Sequence, residues 1–269
     1  MKNNKYIKVI LVIIVTILLV SIFIVLSKNK TRDISYNSIE ELRGKRIGTL
    51  LGSPLTEEKT RKIIPEVEVS FYNDAMDSIA SLQARQIDGA IVSYPTAFLV
   101  TKNIPELKVL SNLTEDEAGV AVSKNNVELF EKVNNYIKQL KEDGTMDDMI
   151  LRWYNSENQN YEMPNISLPS TGDKLVVGVA ADREPSCFLN SDGEVIGLDG
   201  ELARRIACHL NRPIEFVEMK FASLVNALES GKVDIVVSNL IITEERKESV
   251  FMTEGYFDSP LVLIVREEK

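Results

Sequence analysis

The sequence predicts an α/β fold of two similar lobes, each built from helix–turn–strand units, behind one N-terminal transmembrane helix. Three observations predict it. Residues 9–26 form an apolar run broken only by Thr16 and Ser21. Leu82 stands six residues before Asp88, and Leu228 six before Asp234, and each aspartate opens an apolar strand, at 89–92 or 235–237. Strands and amphipathic helices alternate from Arg46 onward, the pattern of sheets covered by helices. Both strands of the repeat end in polar residues, where a parallel sheet presents its ligand.

The apolar run comes first. At about 1.5 Å per residue it reaches about 27 Å, close to the ~30 Å hydrocarbon core of a bilayer. Lys2, Lys5 and Lys8 before it favour a cytoplasmic N-terminus, while Lys28, Lys30 and Arg32 after it weaken that orientation. The run is longer than a usual signal-peptide core, and neither a small-x-small cleavage site nor a following lipid-accepting cysteine stands out. An uncleaved anchor over residues 1–28 is therefore expected, with a cleaved signal as the alternative. The bulk of the chain then lies outside the cytoplasm, held to the cell membrane by a single pass.

Residues 46–51 read as a strand, and Gly52-Ser53-Pro54 as a turn whose proline is placed to start a helix. Residues 66–72 form the next strand, 75–86 a helix with Met76, Ile79 and Leu82 on one side, and 87–93 a third strand. Short strands follow at 107–110 and 119–123. Asn125 or Asn126 caps a helix with Phe130, Val133, Ile137 and Leu140 on one stripe, stopped at Gly144. Thr145 caps the next helix, where Asp147 and Asp148 suit the dipole and Trp153 lies at the end. Residues 155–173 carry Asn, Ser, Gly and Pro with little periodicity, which marks a linker. Further on, the buried run 233–237 ends in polar residues and opens into a helix capped by Thr243.

Composition narrows the function classes. The 269 residues are 44% hydrophobic and 26% charged, the proportions of an ordinary globular protein. Net charge is −9, and setting aside the four lysines of residues 1–28 leaves −13 on the remainder. So acidic a body argues against nucleic acid. Enzyme readings find little support: His209 is the single histidine and sits at the edge of a core-facing stripe, no Cys/His cluster has metal-ligand spacing, and Gly44, Gly48 and Gly52 match no phosphate loop. Trp153 and Phe221 read as core residues. Cys187 and Cys208 are expected to be free, largely buried thiols, about two and a half helical turns apart. Neither a metal nor a cofactor is implied.

Arg246 is the residue that points to chemistry. It falls three residues after the Thr243 cap, where Glu or Gln would complete a capping box and where a cation opposes the helix dipole. A guanidinium fork beside Ser238 and Asn239, at the end of a strand, suits a small carboxylate. The alternative is a surface arginine paired with Glu244 or Glu248.

Residues 224–232 with Val233-Asp234, and residues 251–260, resemble the first lobe of the bacterial family-3 extracellular solute-binding proteins, the polar-amino-acid receptors of ABC importers. Lys174-Leu-Val-Val-Gly-Val179 is similar to that lobe's first strand, and Gly197-Leu-Asp-Gly-Glu-Leu-Ala203 to the hairpin exit into its first helix. Residues 34–45 resemble the entry into the second lobe, and the helical stretch before 154 resembles the tail that returns to the first. The resemblance implies a type II periplasmic-binding-protein (Venus-flytrap) fold of two Rossmann-like lobes around a cleft. In the family the first lobe leads; here it comes last. The implied division is an anchor at 1–28, a hinge linker at 29–40, the second lobe at 41–116, the C-terminal part of the first lobe at 117–154, a linker at 155–173 and the first lobe at 174–269. Each element occurs once, which favours a circular permutation over remnants of two receptors. A permuted receptor is expected to pair residues 119–123 in one sheet with 261–265.

The resemblance also implies a pocket. Ser238, Asn239 and Arg246 fall where family members hold the ligand α-carboxylate, and Ile241 where a ligand-facing Ser or Thr is frequent. Ser53 matches an anion-friendly loop at a helix start in the second lobe, with Pro54 replacing a hydroxyl residue. Ser93 stands where an aspartate usually holds the ammonium group, and Ala180 where a second acid often follows the first strand. Arg183 and Ser186 replace flanking aromatics. Arg183 reads either as a solvated loop residue or, with Arg246, as part of a site for two acidic groups. Asp199 reads as a helix cap. The function implied is a membrane-anchored receptor capturing an amino acid or related small carboxylate for separate ABC permease subunits. The alternatives are a sensory ectodomain working with a separate signalling partner and a scaffold that binds nothing.

Overall fold

Residues 35–154 and 161–267 are described by the computed structural model. The anchor expected over residues 1–28 lies outside them. Among the described residues no helix is long and apolar enough to cross a membrane.

The repeated Leu–Asp spacing has a structural cause. Strands β1 (Arg46–Leu50), β2 (Glu68–Tyr72) and β3 (Gly89–Ser93) are parallel, with helix α1 (Glu57–Ile63) between the first two and α2 (Ala75–Gln83) before the third. Further along the chain, β6 (Leu175–Val179), β10 (Ile214–Glu218) and β11 (Ile235–Ile241) are parallel in the same way. Asp88 accepts the backbone N–H of Arg46 at 3.1 Å, and Asp234 accepts that of Val176 at 3.0 Å. Each aspartate therefore clamps the start of the neighbouring strand, and each is ion-paired from the side, to Arg46 or Arg212. Leu82 and Leu228, six residues earlier, are fully buried under their own sheets.

Helix α3 (Tyr94–Asn103) and strand β4 (Leu107–Asn112) follow β3. The chain then leaves this lobe through β5 (Glu117–Ser123), α4 (Val127–Glu142) and α5 (Thr145–Tyr154). On α4 the stripe Leu129, Val133, Ile137 and Leu140 is buried, and the Asn126 side chain caps it by accepting from Leu129 N–H at 3.0 Å. At α5 the capping carboxylate is Asp143, which accepts the N–H of Thr145 at 2.9 Å, in place of the Thr145 hydroxyl expected there. Between β6 and β10 lie a small hairpin sheet, β7 (Asp182–Arg183), β8 (Cys187–Leu189) and β9 (Val195–Ile196), and helix α6 (Leu198–His209). Gly197 makes the exit possible. Its φ is +104°, and a Cβ there would stand 2.3 Å from the Ser186 carbonyl oxygen. After β10 come a single-turn segment Phe221–Ser223, α7 (Leu224–Glu229), then β11, α8 (Glu244–Ser249), β12 (Val250–Met252), β13 (Phe257–Asp258) and β14 (Leu261–Arg266).

The two sheets have the same plan. One runs β2-β1-β3-β14-β4 and the other β10-β6-β11-β5-β12, with β13 also on β5. In each, the fourth position is filled antiparallel by a strand from the other half of the chain: β14 beside β3, and β5 beside β11. This corrects two expectations. Residues 261–266, assigned above to the lobe of 174–269, belong to the sheet of β1 to β4, and residues 119–123 do not share a sheet with them. The reason is the short link after β13, which carries the chain across to the open flank of β3. Arg266 secures the far end of β14 by donating to the carbonyls of Leu82 and Ile87 at 2.6 and 2.7 Å.

Two segments therefore cross between lobes, β4 to β5 and β13 to β14, and they lie side by side. Leu113 N–H donates to Leu261 O at 2.7 Å, Leu261 N–H to Thr114 Oγ1 at 2.9 Å, and Ser259 N–H to Asp116 O at 2.8 Å. Cys187 is buried and Cys208 exposed, both as free thiols, so the expectation of two buried thiols holds for one. Cys208 lies near the solvent end of α6, beyond the buried stripe of Leu202, Ala203 and Ile206.

Candidate ligand-binding cleft

The strand ends of the two sheets face each other. Leu50, Ile91 and Ser93 approach from one lobe and Asn239 and Ile241 from the other, around a cavity of about 30 Å³. Of the residues singled out in the sequence, Ser53, Ser93, Arg183, Asn239 and Ile241 all line it, together with Phe221. Arg246 lines an adjoining open groove of about 400 Å³ that shares Ser53, Pro54 and Phe221. Ser238 is fully buried behind the cavity. A volume of this size holds about two waters, so entry of an amino acid requires the lobes to part.

Arg246 is held on the face that the capping argument indicated. Thr243 Oγ1 accepts from Arg246 N–H at 3.2 Å, which starts α8 and aims the side chain back along β11. Its guanidinium donates to the Ile241 carbonyl at 2.5 Å and, across the cleft, to the Gly52 carbonyl at 2.9 Å. It does not pair with Glu244 or Glu248; Lys247 takes Glu244. Burial, and then the nearby Arg183 guanidinium, lower its pKa to about 10. Gly52 permits the approach. It has φ +84°, and a Cβ there would stand 3.2 Å from Ala222 Cα on the opposite lobe.

Arg183 is not a solvated loop residue: it is 4% exposed. Strand β7 turns it inward, where its guanidinium lies 4.2 Å from the centroid of the Phe221 ring and donates to Ser238 Oγ at 3.0 Å. Ser238 also accepts from Ala180 N–H at 3.0 Å, so its hydroxyl positions β6 and Arg183. Arg246 approaches the same Phe221 ring at 5.7 Å. Ser53 Oγ accepts from Leu55 N–H at 3.3 Å at the turn, and the Ser93 hydroxyl lies 3.4 Å from Thr96 Oγ1 at the start of α3. Neither serine supplies a charge for an ammonium group.

Three residues that the sequence reading did not assign to the pocket bear on it, Phe221 in the cavity wall and Asp199 and Tyr256 behind Asn239. Phe221, read above as core, is the ring that both arginines approach. Asp199, read as a helix cap, is fully buried inside α6, whose N-cap position is Gly197. Tyr256 O–H donates to Asp199 Oδ1 at 2.6 Å and accepts from Asn239 N–H at 3.2 Å. Burial raises the Asp199 pKa to about 7, against the opposing effects of the Tyr256 hydrogen bond, the Arg183 charge and the Asn239 backbone. Asn239 itself has φ +45°, a left-handed conformation that Asn tolerates better than most residues, and its buried side-chain amide has no partner. Asn239 sits where the pairing of β11 with β5 is interrupted, between Val236 and Leu240, a break that no sequence signal announces.

Around the rim, Tyr94 and Phe98 of α3 meet Phe257 and Tyr154 of the other lobe at centroid distances of 6.4 and 5.6 Å. Lys220 and Asp74 approach to 3.7 Å across the cleft. Among the described residues no group of three or more acids, cysteines or histidines is placed to hold a metal.

Comparison with known proteins gives a consistent set of relatives. The family described as bacterial extracellular solute-binding proteins, family 3, matches residues 175–269. An L-arginine-binding protein of Pseudomonas aeruginosa is 32% identical over 104 residues, 38% of this chain and 40% of that protein. The L-cystine-binding protein TcyJ of Escherichia coli K12 is 29% identical over 130 residues, 48% of each chain. The arginine-bound domain 1 of TmArgBP is 33% identical, over 36% of this chain and 82% of that one, with a TM-score of 0.30. The matches span about two fifths of the length of the first curated relatives.

Proposed function

We propose that this chain, whose residues 175–269 match the bacterial extracellular solute-binding proteins, family 3, captures a small carboxylate of the amino-acid type for an ABC importer. The observation that carries the reading is the placement of Arg246. Its guanidinium is half-buried, stands where the two lobes meet, and among the described residues donates to backbone carbonyls, one from each lobe. A ligand carboxylate gives that fork a bidentate, charged partner and leaves both lobes tied to the same group. Parting and closing of the lobes about the paired crossing segments supplies access and burial.

The two halves of the chain are read as one receptor in changed order. The identical strand plans, each completed by a strand from the other half, support that reading. Residues 1–28 are read as a tether that holds the lobes outside the cytoplasm, next to separate permease subunits. Membrane fractionation tests this part: recovery of a soluble protein lacking residues 1–28 contradicts it.

Titration calorimetry against amino acids and dicarboxylates tests the site. Arg246→Ala is expected to weaken binding by about 2–5 kcal/mol, because it leaves a buried anion unpaired. Arg246→Lys recovers only part, since an ammonium cannot reproduce the fork. Loss of the bond to Gly52 O also lowers the melting temperature of the alanine variant. Unchanged affinity in that variant sinks the carboxylate reading.

A further inference from the structure

The cleft carries a charge pattern that one carboxylate does not use. Among the described residues, no acidic side chain lines the inner cavity; its polar members are Ser53, Ser93, Arg183 and Asn239. Two guanidinium groups, Arg183 and Arg246, bear on the single ring of Phe221. Arg183 Nε is buried and has no hydrogen-bond acceptor, its charge being met by an ion pair to the Asp182 carboxylate at 3.5 Å. Asn239 is 2% exposed, lines the cavity and has neither its amide nitrogen nor its amide oxygen partnered. Buried donors are nearly always paired in native proteins. Two buried donors without hydrogen-bond acceptors in one cavity wall, one of them on a guanidinium, mark the place of an anionic acceptor.

We infer that the ligand carries two carboxylates, and that Arg183 and Asn239 receive the second. The inference rests on the reading that Arg246 holds the first. A second anion neutralises charge where two cations otherwise approach one aromatic ring. A basic amino acid does the opposite, adding a positive charge to an inner cavity whose described lining holds no acid. The arginine of the relatives' names therefore does not carry over. An ammonium group on such a ligand finds Asp182 and Glu184 at the outer mouth, which Arg183 also lines. An acidic amino acid then balances Arg183, Arg246 and Asp182 charge for charge.

The test is titration calorimetry on the full chain with L-glutamate, L-aspartate and succinate, beside L-glutamine, L-asparagine and L-arginine. Each acid and its amide have nearly the same shape and differ by one charge. The acid is expected to bind at least about 30-fold more tightly than its amide. Arg183→Gln is expected to remove that preference, bringing the acid-to-amide affinity ratio close to one. Equal affinity for acid and amide, or a preference for L-arginine, overturns the inference and leaves the single-carboxylate reading standing. No binding of any carboxylate overturns both. Because Arg183 is buried and its replacement can unfold the chain, the acid-to-amide ratio in the unmodified protein decides the question without the variant.

Discussion

Asp199 makes the stability of this protein fall as pH rises, over a range where most carboxylates do the reverse. Its side chain is fully buried and its pKa stands at about 7 against an ordinary 3.8, because burial outweighs the Tyr256 hydrogen bond and the Arg183 charge. Between those values the folded state holds a proton that the unfolded chain releases. The contribution is complete below pH 3.8 and is lost as pH climbs through about 7. The gap between 3.8 and about 7, at about 1.4 kcal/mol per pH unit, sets its size at about 4 kcal/mol. Asp199→Asn isolates the effect, since the amide oxygen still accepts from Tyr256 O–H while the titrating proton is gone. Urea unfolding of both proteins from pH 4 to pH 8 gives the difference in stability, from which the other carboxylates cancel. That difference should move by about 4 kcal/mol in favour of the asparagine variant as pH rises. Parallel pH profiles would falsify the assignment of a protonated Asp199.

Other perturbations read other parts of the structure. Glu201 is fully buried and receives Arg152, Arg205 and Trp153 Nε1 at 2.8–2.9 Å; Glu201→Ala is expected to cost about 3–5 kcal/mol in denaturant unfolding, and a loss under 1 kcal/mol would show the cluster to be solvated. Gly197→Ala forces a Cβ against the Ser186 carbonyl in a left-handed conformation; a drop in melting temperature of several degrees is expected, and an unchanged one contradicts the local geometry. A thiol reagent should modify Cys208 and spare Cys187 in the folded protein, as mass spectrometry of the labelled chain can read; modification of both at equal rates argues against the burial of β8.

Much of the fold could be read from the residues because its signals are local. Asp88 and Asp234 are spaced from Leu82 and Leu228 by the turn between a helix and its strand, and each aspartate binds the strand next to it. Thr243 and Asn126 cap helices by bonds spanning three residues. The sheet to which residues 261–266 belong had no such signal. An apolar strand buried on both faces looks the same in either lobe, and its partner β3 lies far away in sequence. The site divides the same way. Arg246 was legible because it breaks the capping rule at a helix start. The inward turn of Arg183 depends on a two-residue strand, and the burial of Asp199 depends on Tyr256 arriving from a distant segment. The ring of Phe221 becomes a platform only because two arginines converge on it, one from strand β7 and one from helix α8.

The exchange of strands between the halves has a consequence for how the molecule is made. On the ribosome, β1 to β4 emerge early, yet the strand that belongs between β3 and β4 is β14, among the last to be synthesised. Until then the flanks of β3 and β4 offer unpaired backbone to whatever lies near, and β5 waits in the same way for β11. Neither lobe can finish alone, so both must lock together after synthesis has passed residue 261. Contacts so distant in sequence make folding slow and leave open sheet edges exposed meanwhile. Severing the chain within residues 155–173 would not release a working lobe, only two fragments that each need the other to complete a sheet.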